Sequence, residues 1–115
     1  MDKEQVIQKM TETGLVAVVR AKNAEEAIKI SDACLAGGCS SIELTFTVPG
    51  ANKVIEALAA KYQNGEMLLG AGTVLDAETA RMAILSGANY VVSPAFNADC
   101  AKLCNRYRIP YIPGC

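Results

Sequence analysis

The sequence has no histidine, few aromatic residues and no long apolar run, and each absence excludes a class of function. Without histidine, a transition-metal site would have to be built from carboxylates and thiolates alone. No apolar run approaches the roughly 20 residues that a membrane-spanning helix needs. Eleven basic and twelve acidic residues are interspersed, and no basic patch is interleaved with aromatics. We therefore expect no metal, no membrane partner and no nucleic-acid partner.

Two further absences concern the compartment. The N-terminal residues 1–5 lack the basic-then-apolar layout of a signal peptide, so we expect a cytoplasmic protein. The five cysteines are odd in number and contain no Cys-x-x-Cys pair, which indicates free thiols in a reducing compartment. Cys100 and Cys104 are spaced for one face of a helix. They are interpreted as buried small side chains, with a metal pair as the alternative.

No β-hairpin signal, linker or low-complexity segment interrupts the chain, so residues 1–115 are predicted to form a single domain. Polar residues spaced around Val6, Ile7 and Met10 predict an opening helix over 2–13, which Gly14 ends. From about residue 15 to 115, strand and helix patterns alternate. Strands are predicted at 15–20, 40–48, 67–71, 90–93 and 109–112, with helices beginning near Asn23, Pro49, Asp76 and Asn97.

This alternation predicts an α/β fold with a parallel sheet. A doubly wound sheet would carry a glycine-rich loop after its first strand, but residues 20–23 contain no glycine. A (β/α)₈ barrel needs about 200 residues or more, and this chain supplies four and a half units. The architecture is therefore either a small open sheet or about half of a TIM-type barrel.

The second predicted strand, 40–48, carries a charge in its middle. Three apolar residues there alternate with Glu43, Thr45 and Thr47, so the polar set is predicted to face the interior if the apolar set faces the helices. A buried carboxylate is costly unless it is paired or used. Burial also raises a carboxyl pKa, which makes Glu43 a candidate proton shuttle near neutral pH.

Functional groups of barrels lie at the C-terminal ends of the strands. The candidates at these ends are Arg20 after the first strand, Thr45 and Thr47 on the second, Thr73 after the third, and Ser93 and Pro94 at the fourth. The alternative interpretation is structural: Arg20 would form an ion pair with Glu43. Gly70 and Gly72 would then serve only to allow tight strand packing.

Several stretches together resemble a known family. They are Ala17-Val18-Val19-Arg20, Gly37-Gly38, Ile42-Glu43-Leu44-Thr45-Phe46-Thr47, Gly70-Ala71-Gly72-Thr73-Val74, Val91-Val92-Ser93-Pro94 and Ile109-Pro110-Tyr111-Ile112-Pro113-Gly114. In this order they resemble the bacterial 2-keto-3-deoxy-6-phosphogluconate (KDPG) and 4-hydroxy-2-oxoglutarate (KHG) aldolases. The resemblance implies a (β/α)₈ barrel, usually a homotrimer, that acts as a class I aldolase without a metal or other cofactor.

The resemblance also implies roles for individual residues. A lysine forms a Schiff base with the keto-acid substrate, and Glu43 shuttles protons. Thr73 would help to hold the pyruvyl carboxylate, and Pro94 would add a substrate contact. Some members have an arginine at the position of Thr47, so carboxylate binding there is in question, and Arg20 is the substitute suggested by charge and position.

The Schiff-base lysine of the family lies on the sixth strand, beyond Cys115. Of the seven lysines, Lys22 alone falls outside the predicted helices. The expectation is therefore the N-terminal half of an aldolase, inactive by itself, whose partner is a small keto acid or its phosphate. Two alternatives stay open: a non-catalytic half-barrel that associates with another half, and a carboxylate-dependent isomerase or metal-using lyase on a similar barrel.

Overall fold

The computed structural model describes all 115 residues, and five parallel strands alternate in it with helices. The elements are α1 (Lys3–Thr13), β1 (Ala17–Val19), α2 (Ala24–Ala36), β2 (Ser41–Thr45), α3 (Ala51–Lys61), β3 (Leu68–Gly72), α4 (Ala77–Ser86), β4 (Tyr90–Ser93), α5 (Ala98–Arg106) and β5 (Tyr111–Pro113). The alternation and the opening helix predicted from the sequence are confirmed.

Most helix ends lie where the sequence places them, because short polar side chains satisfy the first backbone N–H groups. Asp2 and Gln5 form a capping box at the start of α1, and Gly14 ends that helix at φ 68°. The side chains of Asn23, Asp76 and Asn97 each accept a hydrogen bond from the backbone N–H three residues on. The N-caps that the sequence indicates at Asn23 and Asp76 are confirmed, whereas Asn97, predicted as the first residue of its helix, is its N-cap.

The predicted start and end of α3 are wrong. Pro49 lies outside the helix, because Gly50 is its N-cap at φ 79° and Ala51 is its first residue. The Asn64-Gly65 pair in the sequence predicts the end of this helix, but the helix ends at Lys61 with Tyr62 as its cap. The predicted first and second strands are longer than β1 and β2, and the predicted third and fifth strands are displaced along the chain from β3 and β5. Strand ends depend on pairing with a neighbouring strand, which the local sequence does not show.

The sheet order is β1-β2-β3-β4-β5, so every strand pairs with its neighbours in sequence. Helices α2 to α5 cover one face, and the main core of 20 buried residues lies between them and the sheet. The opposite, inner face has a smaller cluster in which Val6 of α1 packs against Leu68 and Tyr90. Helix α1 thus covers the beginning of β3 and β4 on the inner face.

The two outer strands each pair with one neighbour only. Val18 of β1 and Ile112 of β5 point to the inner face, since they pair with Glu43 and Val92, and they are 58% and 40% exposed. The inner face therefore carries apolar side chains at both of its edges.

The cysteines are free thiols. Cys100 and Cys104 are fully buried in the main core, which confirms their interpretation as small core side chains. No helix of the structure has both the length and the apolar character needed to cross a membrane.

Candidate active site

Because all five strands are parallel, their C-terminal ends lie along one edge of the sheet, which we call the rim. Arg20 follows β1, Thr45 ends β2, Thr73 follows β3 and Pro94 follows β4. The structure thus places these predicted site residues on consecutive segments of the rim. Arg20 and Pro94 are exposed, whereas Thr45 is 4% exposed.

Glu43 lies in the middle of β2 and points to the inner face. It pairs with Gly70, which in turn pairs with Tyr90, so the three residues form one row across three strands. The Glu43 side chain is half-buried and takes part in no hydrogen bond or salt bridge of the structure. The alternative in which Arg20 pairs with it is therefore wrong.

Two glycines of β3 make room for the neighbouring side chains. A Cβ at Gly72 would lie 1.9 Å from Oε1 of Glu43 and 2.6 Å from its Cδ. A Cβ at Gly70 would lie 2.2 Å from Cε2 and Cζ of Tyr90. The two glycines allow the side chains of Glu43 and Tyr90 to lie directly on the β3 backbone. Their role is therefore larger than the tight packing of strands that the structural interpretation of the sequence assigns to them.

Burial determines the electrostatics of Glu43. Desolvation raises the pKa of its carboxyl above the ordinary value of 4.5, and no cation offsets this effect. A carboxyl with a raised pKa exchanges its proton more readily near neutral pH than an exposed one does. The geometry therefore provides an unpaired carboxyl group, near the rim, that can both give and accept a proton.

Thr73, the first residue after β3, has a left-handed backbone conformation at φ 57°. This conformation costs a β-branched residue free energy, because its Cβ crowds the following carbonyl oxygen. Such strain persists where the surroundings enforce it, and it clusters at functional sites. Thr73 is half-buried beside the end of the strand that carries Gly72.

The prediction that Thr47 continues the strand is wrong. Thr45 is the last residue of β2 that pairs with β3. The Phe46 N–H still donates to the Gly72 carbonyl, and the Val48 N–H then donates to the Thr45 carbonyl and closes a turn. Thr47 lies in this turn and is exposed. It lies on the rim, beyond the last paired residue of β2.

Ser93 is less available than its position at the end of β4 indicates. It is 2% exposed, and its hydroxyl donates to the Val74 carbonyl at 2.6 Å. Pro94, next to it, has its carbonyl against Gly114, where a Cβ would lie 2.3 Å away. Ser93 therefore ties β4 to the loop after β3.

Neither a lysine nor a metal site accompanies Glu43. Three lysines form ion pairs, with Glu25, Glu56 and Asp32, and Lys9 donates to the Gly65 carbonyl. Lys22 lies exposed between β1 and α2. No group of three or more His, Cys, Asp or Glu residues is arranged to hold a metal ion.

Sequence reasoning missed Tyr90, whose hydroxyl donates to the Ile42 carbonyl at 3.0 Å and lies 3.0 Å from the Ser41 hydroxyl. Its ring crosses β3 over Gly70 to reach β2. A bulky residue in register with a glycine of the adjacent strand is the signal that could have identified it, but the register is not readable from the sequence.

Comparison with known proteins agrees with this geometry. Residues 6–115 match the family model described as "Aldolase: KDPG and KHG aldolase". The 2-dehydro-3-deoxy-phosphogluconate aldolase of Haemophilus influenzae is 36% identical over 111 residues, which are 96% of this chain and 51% of that protein. That of Treponema pallidum is 34% identical over 95% of this chain and 51% of its own length. The chain spans about half the length of the curated relatives it matches.

Solved structures show the same relation. The KDPG aldolase of Legionella pneumophila, crystallised with pyruvate as a covalent carbinolamine intermediate, superposes with a TM-score of 0.80 at 30% identity. The match covers 87% of this chain and 48% of that one. The Zymomonas mobilis enzyme with 3-phosphoglycerate gives a TM-score of 0.77 at 31% identity, over 87% and 46% of the two chains. The predicted part of a TIM-type barrel, rather than a small open sheet, is thereby confirmed.

Proposed function

The chain belongs to the KDPG and KHG aldolase family, and from this premise we propose that it forms the first half of a class I aldolase barrel. The reaction is cleavage of 2-keto-3-deoxy-6-phosphogluconate to pyruvate and glyceraldehyde 3-phosphate, of 4-hydroxy-2-oxoglutarate to pyruvate and glyoxylate, or both. The observation that carries the proposal is the unpaired, half-buried carboxyl of Glu43 beside Gly72.

The chemistry divides between the two halves of the barrel. A lysine of the second half attacks the C2 ketone, and loss of water from the carbinolamine gives a Schiff base. This cation accepts the electron pair of the C3–C4 bond as the aldehyde leaves. Glu43 supplies a proton for the loss of water and takes the proton of the C4 hydroxyl during cleavage.

Residues of the rim bind the substrate in this proposal. Thr73 holds the pyruvyl carboxylate, and the Arg20 guanidinium supplies the positive charge that Thr47 lacks. Thr47 contributes at most a hydroxyl from its exposed turn, and Pro94 provides an apolar contact. Support comes from their positions on the rim and from the strained backbone of Thr73.

The proposal includes the assembly and the compartment. We expect a homotrimer in the cytoplasm, with a small keto acid or its phosphate as the ligand. Symmetric assembly has support from one similar chain, which occurs in a protein cage designed by fusing symmetric oligomeric domains and matches with a TM-score of 0.80 at 26% identity.

Association between barrel halves is the second candidate function, and the exposed apolar residues at the edges of the inner face favour it. Val18 lies on β1 and Ile112 on β5, and the outer backbone groups of these two strands have no partner strand. Such edges pair readily with another strand. A second half-barrel, in the same chain or in another, would cover both of them.

Borohydride trapping with pyruvate, followed by peptide mass spectrometry, tests the aldolase proposal. The samples are residues 1–115 alone and a completed protein, in which these residues are followed by their natural downstream sequence or, where none exists, by the second half of the Haemophilus influenzae relative. We expect an adduct only in the completed protein, on a lysine of the second half. An adduct on Lys22 of the shorter chain would place the nucleophile in this half, and a folded completed protein that forms no adduct would refute the aldolase function.

A further inference from the structure

Tyr90 is the largest fully buried side chain of the protein, and it lies on the inner face rather than in the main core. Its ring covers Gly70, and its hydroxyl reaches the β2 backbone one residue before Glu43. The chemistry proposed above gives Tyr90 no role. Its position nevertheless relates it directly to the conformation of Glu43.

The pairing of the strands explains how Tyr90 affects the position of the Glu43 carboxyl. Glu43, Gly70 and Tyr90 occupy one row of the sheet, and the middle position of that row has no side chain. Both neighbours could therefore lean into the space over Gly70. Tyr90 fills this space, since a Cβ on Gly70 would lie 2.2 Å from two of its ring atoms. The Glu43 carboxyl lies instead over Gly72, two residues closer to the rim.

Hydrogen bonds keep the ring in that place. The Tyr90 hydroxyl donates to the Ile42 carbonyl and is positioned to accept from Ser41, both at 3.0 Å. Burial raises the pKa of the phenol to about 12, with Glu43 adding to the effect, so the donated proton stays on Tyr90 throughout the physiological range. Below the ring, Val6 and Leu68 close the inner face.

We propose that Tyr90 is a positioning residue for Glu43: by filling the space over Gly70 and bonding to Ile42, it directs the Glu43 carboxyl toward Gly72 and the rim. The inference rests on the proposed aldolase function, because the position of Glu43 matters only if its proton is used. Tyr90 itself touches no substrate. Its effect on the rate therefore passes entirely through Glu43.

A double-mutant cycle in the completed protein tests this dependence, using Tyr90→Phe, Glu43→Gln and the pair. Tyr90→Phe keeps the ring volume and removes the hydrogen bonds, so we expect a roughly fivefold lower kcat with KM unchanged. Tyr90→Leu also frees the space over Gly70, and we expect a fall of about a hundredfold, as for a reacting group misplaced by 1 Å. In the Glu43→Gln background, Tyr90→Phe should change kcat less than twofold.

Tyr62→Phe is the matched control, since Tyr62 is also buried and donates its hydroxyl to Asp32, but lies on the helix side of the sheet. It should leave kcat unchanged. Rates are expressed per mole of natively folded protein, determined by urea unfolding, so that loss of folded protein does not count as loss of rate. An unchanged kcat in Tyr90→Phe, or a loss of equal size with and without Glu43, would overturn the inference while leaving the aldolase function standing. A folded wild-type completed protein with no aldolase activity would overturn both.

Discussion

Gly72→Ala separates the chemistry of Glu43 from the stability of the fold. A Cβ at position 72 would lie 1.9 Å from Oε1 of Glu43, whereas ordinary van der Waals contact begins near 3.4 Å. The carboxyl oxygen must therefore retreat by about 1.5 Å. Its position on a flexible side chain makes this movement easier than a shift of the backbone, and the retreat takes it away from the place proposed for proton transfer.

The expected loss of activity is large, because misplacing a reacting group by 1 Å can cost about a hundredfold in rate. We expect kcat of the completed protein to fall by about that factor. The free energy of unfolding should change by less than about 1 kcal/mol, since alanine restricts the unfolded chain while the displaced carboxyl offsets the gain. Aldol cleavage, followed by coupled pyruvate detection, and urea unfolding measure the two quantities.

Gly70→Ala is the matched control, two residues earlier on the same face of β3. Its Cβ meets the Tyr90 ring, which hydrogen bonds hold to β2 and which cannot retreat freely. Overpacking of this kind costs about 1–3 kcal/mol, and loss of the phenol hydrogen bond adds about 1 kcal/mol. If Gly72→Ala instead destabilised the protein as much as Gly70→Ala and kept its activity, the assignment of Glu43 as the proton shuttle would be refuted.

Three further predictions follow from the same site and core. Glu43→Gln should lower kcat far more than it raises KM for the substrate, and equal changes in kcat and KM would make Glu43 a binding residue. The same substitution should stabilise the completed protein at neutral pH but not below pH 4.5, because a raised carboxyl pKa destabilises the folded state only where the carboxylate is charged. Thr73→Gly should raise the free energy of unfolding by about 1 kcal/mol, because glycine adopts the left-handed conformation without strain, and it should raise KM for the keto acid. A lower free energy of unfolding in urea would contradict the strain at Thr73. Cys100 and Cys104 should resist a thiol reagent at pH 8 until the protein unfolds, since both are fully buried and burial raises the pKa of Cys104 to about 11. If they were labelled in the native state faster than the exposed Cys115, this packing would be contradicted.

Local hydrogen bonds explain which parts of the fold were predictable. The N-cap residues Asn23, Asp76 and Asn97 bond to backbone groups three residues away, so the information lies within one turn of the sequence. The end of β2 depends on where pairing with β3 stops, at Thr45 and Gly72, which lie 27 residues apart in the sequence. The alternating pattern continues past this last paired residue, so the sequence predicts a strand over 40–48 that is longer than β2.

The site divides in the same way. Glu43 was identifiable because a carboxylate in the middle of a predicted strand is costly to bury, and both the strand and the charge are readable from the local sequence. Tyr90 was not, because a tyrosine at the start of a strand is an ordinary strand former. Its meaning depends on register with Gly70 and on a hydroxyl contact with Ser41, 49 residues away. Long-range pairing, rather than residue type, determines its place in the structure.

The two glycines of β3 show how the fold accommodates the site. A glycine inside a strand is destabilising by roughly 0.5–1 kcal/mol relative to alanine, because it restricts the unfolded chain least. At Gly70 the Tyr90 ring fills the vacant space and its hydroxyl bonds to β2, which offsets the cost. At Gly72 the neighbour is a half-buried carboxyl without a hydrogen-bond or ion-pair partner, so nothing local offsets either the cost of the glycine or the partial desolvation of the carboxyl. Positions where sequence and local stability disagree without compensation are where function is expected, and in β3 that disagreement is confined to the glycine under Glu43.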